Sequence, residues 1–144
     1  MKVQVILEGK LRKSRALEWI GEYQKRLSGS MPLEIVEWGA PQAAREERFF
    51  NSIKAGDRLV ALDAGGKIFD TLELADYFKE LTEQCRTLYI FVGEAEGHSE
   101  TVLKHVKERW SLSRLTMSYE VALVVIAEQL YRNMTIRTGH PYHK

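Results

Sequence analysis

Three groups in this 144-residue chain have the residue types and spacing for chemistry. The first is Ser111-Leu-Ser-Arg-Leu-Thr116, where Ser111, Ser113 and Thr116 offer hydroxyls to a ligand's polar edge and Leu112, Leu115 and Met117 offer packing for an aromatic ring. A structural role is equally open, because Thr116 or Ser118 is a suitable cap for the helix that follows. The second is Gly93-Glu-Ala-Glu-Gly97, whose glycines admit close backbone approach beside a helix N-terminus. It lacks G-x-G-x-x-G and the Walker lysine, and Glu94 and Glu96 repel phosphate, so no dinucleotide or nucleoside-triphosphate fingerprint is present. An ordinary turn between strand and helix explains it as well.

The third group is basic. Arg132, Arg137, His140, His143 and Lys144 are interleaved with Tyr131 and Tyr142, and Lys10, Arg12, Lys13 and Arg15 cluster near the start. Such mixtures suit phosphate contacts and base stacking on RNA, although solvated helix ends account for them too. A formal net charge of +1 gives no global pull on nucleic acid, so any RNA contact is local. His98 and His105 lie seven apart without the convergent ligands a metal needs, so no metal is expected. G-x-S-x-G is absent, and Cys85 is the single cysteine, which excludes an internal disulfide and suits a reducing compartment.

The elements that must position these groups follow from periodicity. Val3, Val5 and Leu7 mark a strand ended by Gly9, too short and too soon charged for a signal peptide or membrane span, and the expected location is cytoplasmic. An amphipathic helix over 14–27 carries Leu17, Ile20, Tyr23 and Leu27, with Ser14 as N-cap. A strand over 33–38 and a helix over 42–53 repeat the pattern. The third strand, 57–63, breaks at Ala64-Gly65-Gly66, and Asp70 with Glu73 forms a capping box opening a helix over 71–83. Continuously apolar 87–92 reads as a central parallel strand, Ser99 as the cap of a helix over 100–110, and 112–116 as a fifth extended segment. Residues 121–131 form a helix apolar nearly all round until Glu128, which suits a core or subunit interface. Five such repeats without a linker predict one α/β domain over 1–144, with a mainly parallel sheet and helices on both faces. Ligands on such sheets bind beyond the carboxyl ends of the strands, which points to Asp63-Ala-Gly-Gly, the Gly93 turn and Ser113-Arg-Leu-Thr.

Ser111-Leu-Ser-Arg-Leu-Thr116, Ala127-Glu-Gln-Leu-Tyr-Arg132 and His140-Pro-Tyr-His143 together resemble the RlmH family of SPOUT-class methyltransferases, which act on a pseudouridine of large-subunit ribosomal RNA. The resemblance spans the chain, through Gly9-Lys10, Glu22-Tyr23-x-x-Arg26, Leu62-Asp63 and the Gly93 turn. It implies an α/β-knot fold with a C-terminal trefoil knot, a homodimer joined through the last helix, and S-adenosyl-L-methionine as cofactor. By position, the implied cofactor pocket is Leu62, Gly93, Leu112, Ser113, Arg114, Leu115, Thr116 and Met117. Arg132, Tyr142 and His143 are the implied catalytic and RNA-holding residues, acting on ribosomal RNA or the assembled ribosome. The implied reaction methylates N3 of pseudouridine, an imide N–H whose proton must leave; Tyr142 and His143 suit that step, and Arg132 suits a phosphate or developing negative charge.

Four positions, in three places, depart from the family's pattern. Glu94 stands for the second glycine of Gly-Gly-x-x-Gly, Ser118-Tyr119 stands for Pro-His, and Ala122 or Leu123 stands for an arginine. A carboxylate at 94 either attracts the cofactor's cationic groups or obstructs backbone approach, with strain if the position needs φ > 0. These departures define the alternative: a catalytically impaired knotted homodimer that binds RNA or the ribosome. Fold class alone also admits a flavodoxin-like nucleotide-binding regulator.

Overall fold

The computed structural model describes residues 1–11 and 15–144. Their order is β1 (Lys2–Leu7), α1 (Ala16–Leu27), β2 (Leu33–Glu37), α2 (Ala43–Asn51), β3 (Asp57–Ile68), α3 (Thr71–Gln84), β4 (Thr87–Val92), α4 (Glu100–His105), β5 (Glu108–Ser111) and α5 (Tyr119–Thr138). Among the described residues the strands form one parallel sheet in the order β2-β1-β4-β3-β5.

Period-two alternation sorts the strand residues onto two faces. Val5, Ile90 and Val60 align across β1, β4 and β3, and with Val3, Leu7, Leu88 and Val92 they pack on α1, α3 and α5. One residue on, Ile6, Phe91 and Ala61 face the other way, onto Phe50 of α2 and Val102 and Val106 beyond it. β1 and β4 are central and apolar on both faces, as a doubly covered parallel sheet requires. Trp38, Phe49, Phe50 and Phe91 add edge-on and stacked ring contacts at centroid separations of 5.3 to 6.4 Å. Each such pair contributes roughly 0.5–1.5 kcal/mol beyond burial.

Several sequence expectations hold. β4 has the expected bounds, the Asp70–Glu73 capping box is complete, and Ser99 caps α4 by accepting from the Val102 N–H. Ser14 lies outside the described residues, as do Arg12 and Lys13.

The region 100–116 is corrected. Val102, Val106 and Trp110 repeat every four residues and mimic one helix, but α4 ends at His105 and Trp110 belongs to β5. Pairing with β3 wins there: Ala61 aligns with Arg109, Leu62 with Trp110, and the Trp110 ring is buried against Phe69 and Tyr77. The fifth strand is therefore 108–111, and 112–116 is loop. β3 also runs past the expected break, absorbing Ala64, Gly65 and Gly66 in a register shift between Leu62 and Lys67. A β-carbon on Gly66 would lie 2.7 Å from the Arg109 carbonyl carbon, so glycine permits that approach. α5 starts earlier and ends later than expected, capped by Ser118 and closed by Gly139 at φ 74°.

Candidate functional site

A cavity of about 470 Å³ opens at the carboxyl ends of β3, β4 and β5, within the size range of small-molecule sites. Leu62 ends the regular part of β3, Val92 ends β4 and Gly93 follows it, and Leu112, Ser113, Leu115, Thr116 and Met117 come from the loop after β5. Seven of the eight residues carried over to the cofactor pocket thus line one cavity. Arg114 is not among the lining residues; its side chain is exposed.

The loop keeps its shape with its own hydroxyls. Ser111 donates to the Ser113 carbonyl at 3.0 Å, and Ser113 accepts from the Leu115 N–H at 3.0 Å. Ser118 caps α5 by accepting from the Val121 N–H at 3.4 Å, so the capping role belongs to Ser118. Tyr119 donates to the Lys10 carbonyl at 3.0 Å, tying the start of α5 to the segment that follows β1. Leu115 is 77% exposed at the cavity mouth, an apolar side chain available to a ring.

The Gly93 turn folds back tightly. Gly97 donates to the Glu94 carbonyl at 2.8 Å and takes φ 92°, while a β-carbon on Gly93 would meet the Gly97 carbonyl carbon at 2.9 Å. Among the described residues no non-glycine has positive φ, so Glu94 carries no backbone strain of that kind. Its side chain lies against Gly9. Asp63, Glu94 and Glu96 make the cavity rim acidic. Asp63 accepts from the Gly65 N–H at 2.8 Å and from Arg109 at 3.0 Å, and these hold its carboxyl below the usual range.

His98 is a site residue that the sequence did not expose. It precedes α4 rather than lying on it, with Nε2 2.7 Å from the Leu62 carbonyl and Nδ1 on the buried Glu8 carboxylate. The other Glu8 oxygen accepts from the Ser99 N–H at 2.7 Å. Burial lowers the imidazole pKa, but the Glu8 carboxylate, the Leu62 carbonyl and Asp63 together outweigh it and the net shift is upward. Glu8 and His98 each follow the end of a strand, yet only the adjacency of β1 and β4 makes them neighbours. His105 points elsewhere, stacked on Phe50 with centroids 4.3 Å apart. Among the described residues no group of three or more His, Cys, Asp and Glu gathers to hold a metal.

Arg132, Tyr142 and His143 come together around Glu128. Its Oε1 accepts from Arg132 Nε at 3.0 Å, Arg132 Nη2 at 2.5 Å and the Tyr142 hydroxyl at 3.0 Å. Arg132 Nη1 lies 3.0 Å from His143 Nδ1; a guanidinium only donates, so Nδ1 is the acceptor. The guanidinium also covers the Tyr142 ring, 4.9 Å from its centroid. Burial and the bond to Glu128 push the Tyr142 phenol up to about 12. It is a hydrogen-bond donor near neutral pH, not a base. Within one chain this cluster does not meet the cavity: Ala122 lines the cavity, and Arg132 lies ten residues further along α5, about 15 Å at the helical rise.

A family model described as "Predicted SPOUT methyltransferase" matches residues 1–143. The chain belongs to the SPOUT methyltransferase family. Proteins named "Ribosomal RNA large subunit methyltransferase H" are similar to it end to end. The one from Gloeobacter violaceus is 35% identical over 151 residues, covering 99% of each chain. The one from Xanthomonas oryzae pv. oryzae is 36% identical over 155 residues, covering 100% of this chain and 99% of the relative. The one from Francisella tularensis subsp. novicida is 34% identical and fully covered on both sides. In this SPOUT methyltransferase Glu94 and Tyr119 line the cavity, and Ser118 caps the helix beside it.

Proposed function

We propose that this chain transfers a methyl group from S-adenosyl-L-methionine to N3 of a pseudouridine in large-subunit ribosomal RNA, acting as a cytoplasmic homodimer with an α/β-knot fold. The observation that carries this reading is the cavity itself, which gathers Leu62, Gly93 and the 112–117 loop in a SPOUT-family chain. The residues fit the cofactor. Leu62, Leu112, Leu115 and Met117 suit the adenine ring, the acidic rim of Asp63, Glu94 and Glu96 suits a sulfonium and an ammonium, and Gly93 keeps the turn closed upon itself. When bound, the cofactor supplies an electrophilic methyl group.

The chain's own residues orient, hold charge and handle one proton. The reacting imide must lose its N3 proton as the methyl arrives. Tyr142, whose single O–H donates to Glu128, stays protonated and does not take that proton; its ring is left to pack on the base. His143 takes it at Nδ1 once Arg132 turns from His143 to an RNA phosphate. Because Arg132 and the cavity lie far apart along α5 of one protomer, the homodimer completes the site by placing one subunit's tail over the other's cavity.

The alternative, an RNA- or ribosome-binding module without methyl transfer, is disfavoured by the open cavity and by the unstrained backbone at Glu94. Titration calorimetry with S-adenosyl-L-methionine tests the reading, with tritium transfer to ribosomal RNA and to assembled ribosomes as the second arm. Binding and transfer are expected; a folded dimer that binds no cofactor at millimolar concentration overturns the reading. A Glu94→Gly, Ser118→Pro, Tyr119→His variant that strongly gains cofactor binding supports the alternative.

A further inference from the structure

His98 has no part in the chemistry above, yet it joins two walls of the cavity. Leu62 belongs to β3 and the Gly97 turn follows β4, and the imidazole bridges from that turn to the Leu62 carbonyl while Glu8, just past β1, holds its other nitrogen. His98 and Glu8 side chains are each only 6% exposed. A buried ion pair this enclosed contributes little net stability compared with apolar packing, so its position invites a role in the site.

Proton counting defines the link. The Leu62 carbonyl only accepts, so Nε2 carries a hydrogen. The contact between Nδ1 and Glu8 holds a second proton. Removing it leaves either a lone pair facing the Glu8 carboxylate or, after a tautomer change, a lone pair facing the Leu62 carbonyl. One of the two ties is then lost. The surrounding charges favour keeping the proton. Asp63 on β3 faces His98 and is itself paired with Arg109 of β5 at 3.0 Å. From α2, Glu46 is buried, accepts from Ser99 Oγ at 2.5 Å and from the Gln42 N–H at 2.9 Å, and has Arg45 4.0 Å away. Glu94 overlies Gly9, next to Glu8.

We propose that His98 is a positioning residue for methyl-donor binding: fixed between Glu8 and Leu62, it locks the Leu62 carbonyl and the Gly97 turn into one rigid wall, so cofactor affinity depends on the proton it holds. This rests on the methyltransferase reading above. The sign follows from the raised imidazole value: the link is intact below the ordinary histidine pKa of about 6.5 and is lost as pH rises through the higher folded value.

The experiment is titration calorimetry with S-adenosyl-L-methionine on the full chain, His98→Leu and Glu8→Gln, between about pH 6 and pH 9, with the His98 ring protons followed by NMR. Affinities are compared as wild-type to variant ratios, which cancels titration of the ligand's own amino group. At the acid end His98→Leu is expected to bind roughly tenfold more weakly, the scale of one lost charge-assisted hydrogen bond, with the ratio closing toward one as wild-type His98 deprotonates. Glu8→Gln removes the countercharge, so the alkaline loss of affinity and the NMR titration should both move to lower pH. Wild-type affinity that stays level with His98→Leu, or a Glu8→Gln curve that does not move while its NMR titration does, overturns this inference alone. Wild type that binds no cofactor at any pH, with His98 titrating as described, overturns the methyltransferase reading and this inference with it.

Discussion

The cavity and the Glu128 cluster are built on opposite plans. The cavity walls are strand ends and turns, where Gly93 admits a close backbone contact, Ser111 and Ser113 spend their hydroxyls on their own loop, and one imidazole ties two strand ends together. The cluster is made of long side chains from α5 and the tail, converging on one carboxylate oxygen that accepts from Arg132 twice and from Tyr142. A backbone-built cavity is preorganised before any ligand arrives, which spares the ordering cost of binding. The cluster is instead charge-compensated at rest: Arg132 meets an RNA phosphate only by giving up part of its hold on Glu128. One region is ready to bind; the other has to be opened.

This contrast breaks most severely through the frame shared by β3 and β5. Trp110→Ala removes a ring that is 2% exposed and packed on Phe69 and Tyr77, and it is expected to cost about 3–5 kcal/mol in denaturant unfolding. Cofactor binding should be lost with the cavity wall, whereas the Arg132–Glu128 contact, lying within one helix, should persist in the fraction that remains folded. Glu128→Gln acts on the other side. It is expected to destabilise the fold by about 1–2 kcal/mol, because part-buried donors lose a charged acceptor, and to leave cofactor affinity unchanged. The Tyr142 phenol should titrate below its value of about 12, which NMR of ring-labelled tyrosine reads directly. Cofactor affinity that falls with Glu128→Gln would show that the two regions are coupled. The smallest effect is expected at Ser118→Ala, the cap between the two regions: about 1 kcal/mol in the unfolding midpoint, with Glu128 chemistry untouched.

Much of the architecture was legible because it depends on local pattern. The apolar run of β4, the Asp70–Glu73 box and the Ser99 cap each follow from a few neighbouring side chains, and each formed as read. Residues 100–116 were misread because Val102, Val106 and Trp110 satisfy a four-residue period equally well as the end of a short helix and the start of a strand; β3, some fifty residues earlier, supplied the deciding hydrogen bonds. The bulge at Ala64 to Gly66 was visible only as a break, since glycines mark where regular pairing stops without saying that it resumes.

The candidate site divides in the same way. The sequence alone pointed to the Gly93 turn and the 113–116 loop at the strand ends, and its family resemblance added Leu62 and Arg132 with Tyr142 and His143. Tertiary structure alone decided what those groups can do. Glu128 neutralises Arg132 and keeps Tyr142 protonated, and Glu8 and His98, ninety residues apart, become a buried pair because β1 and β4 lie side by side. Hydrogen-bond partners and pKa values belong to neighbours in space, and chain order does not fix which neighbours those are.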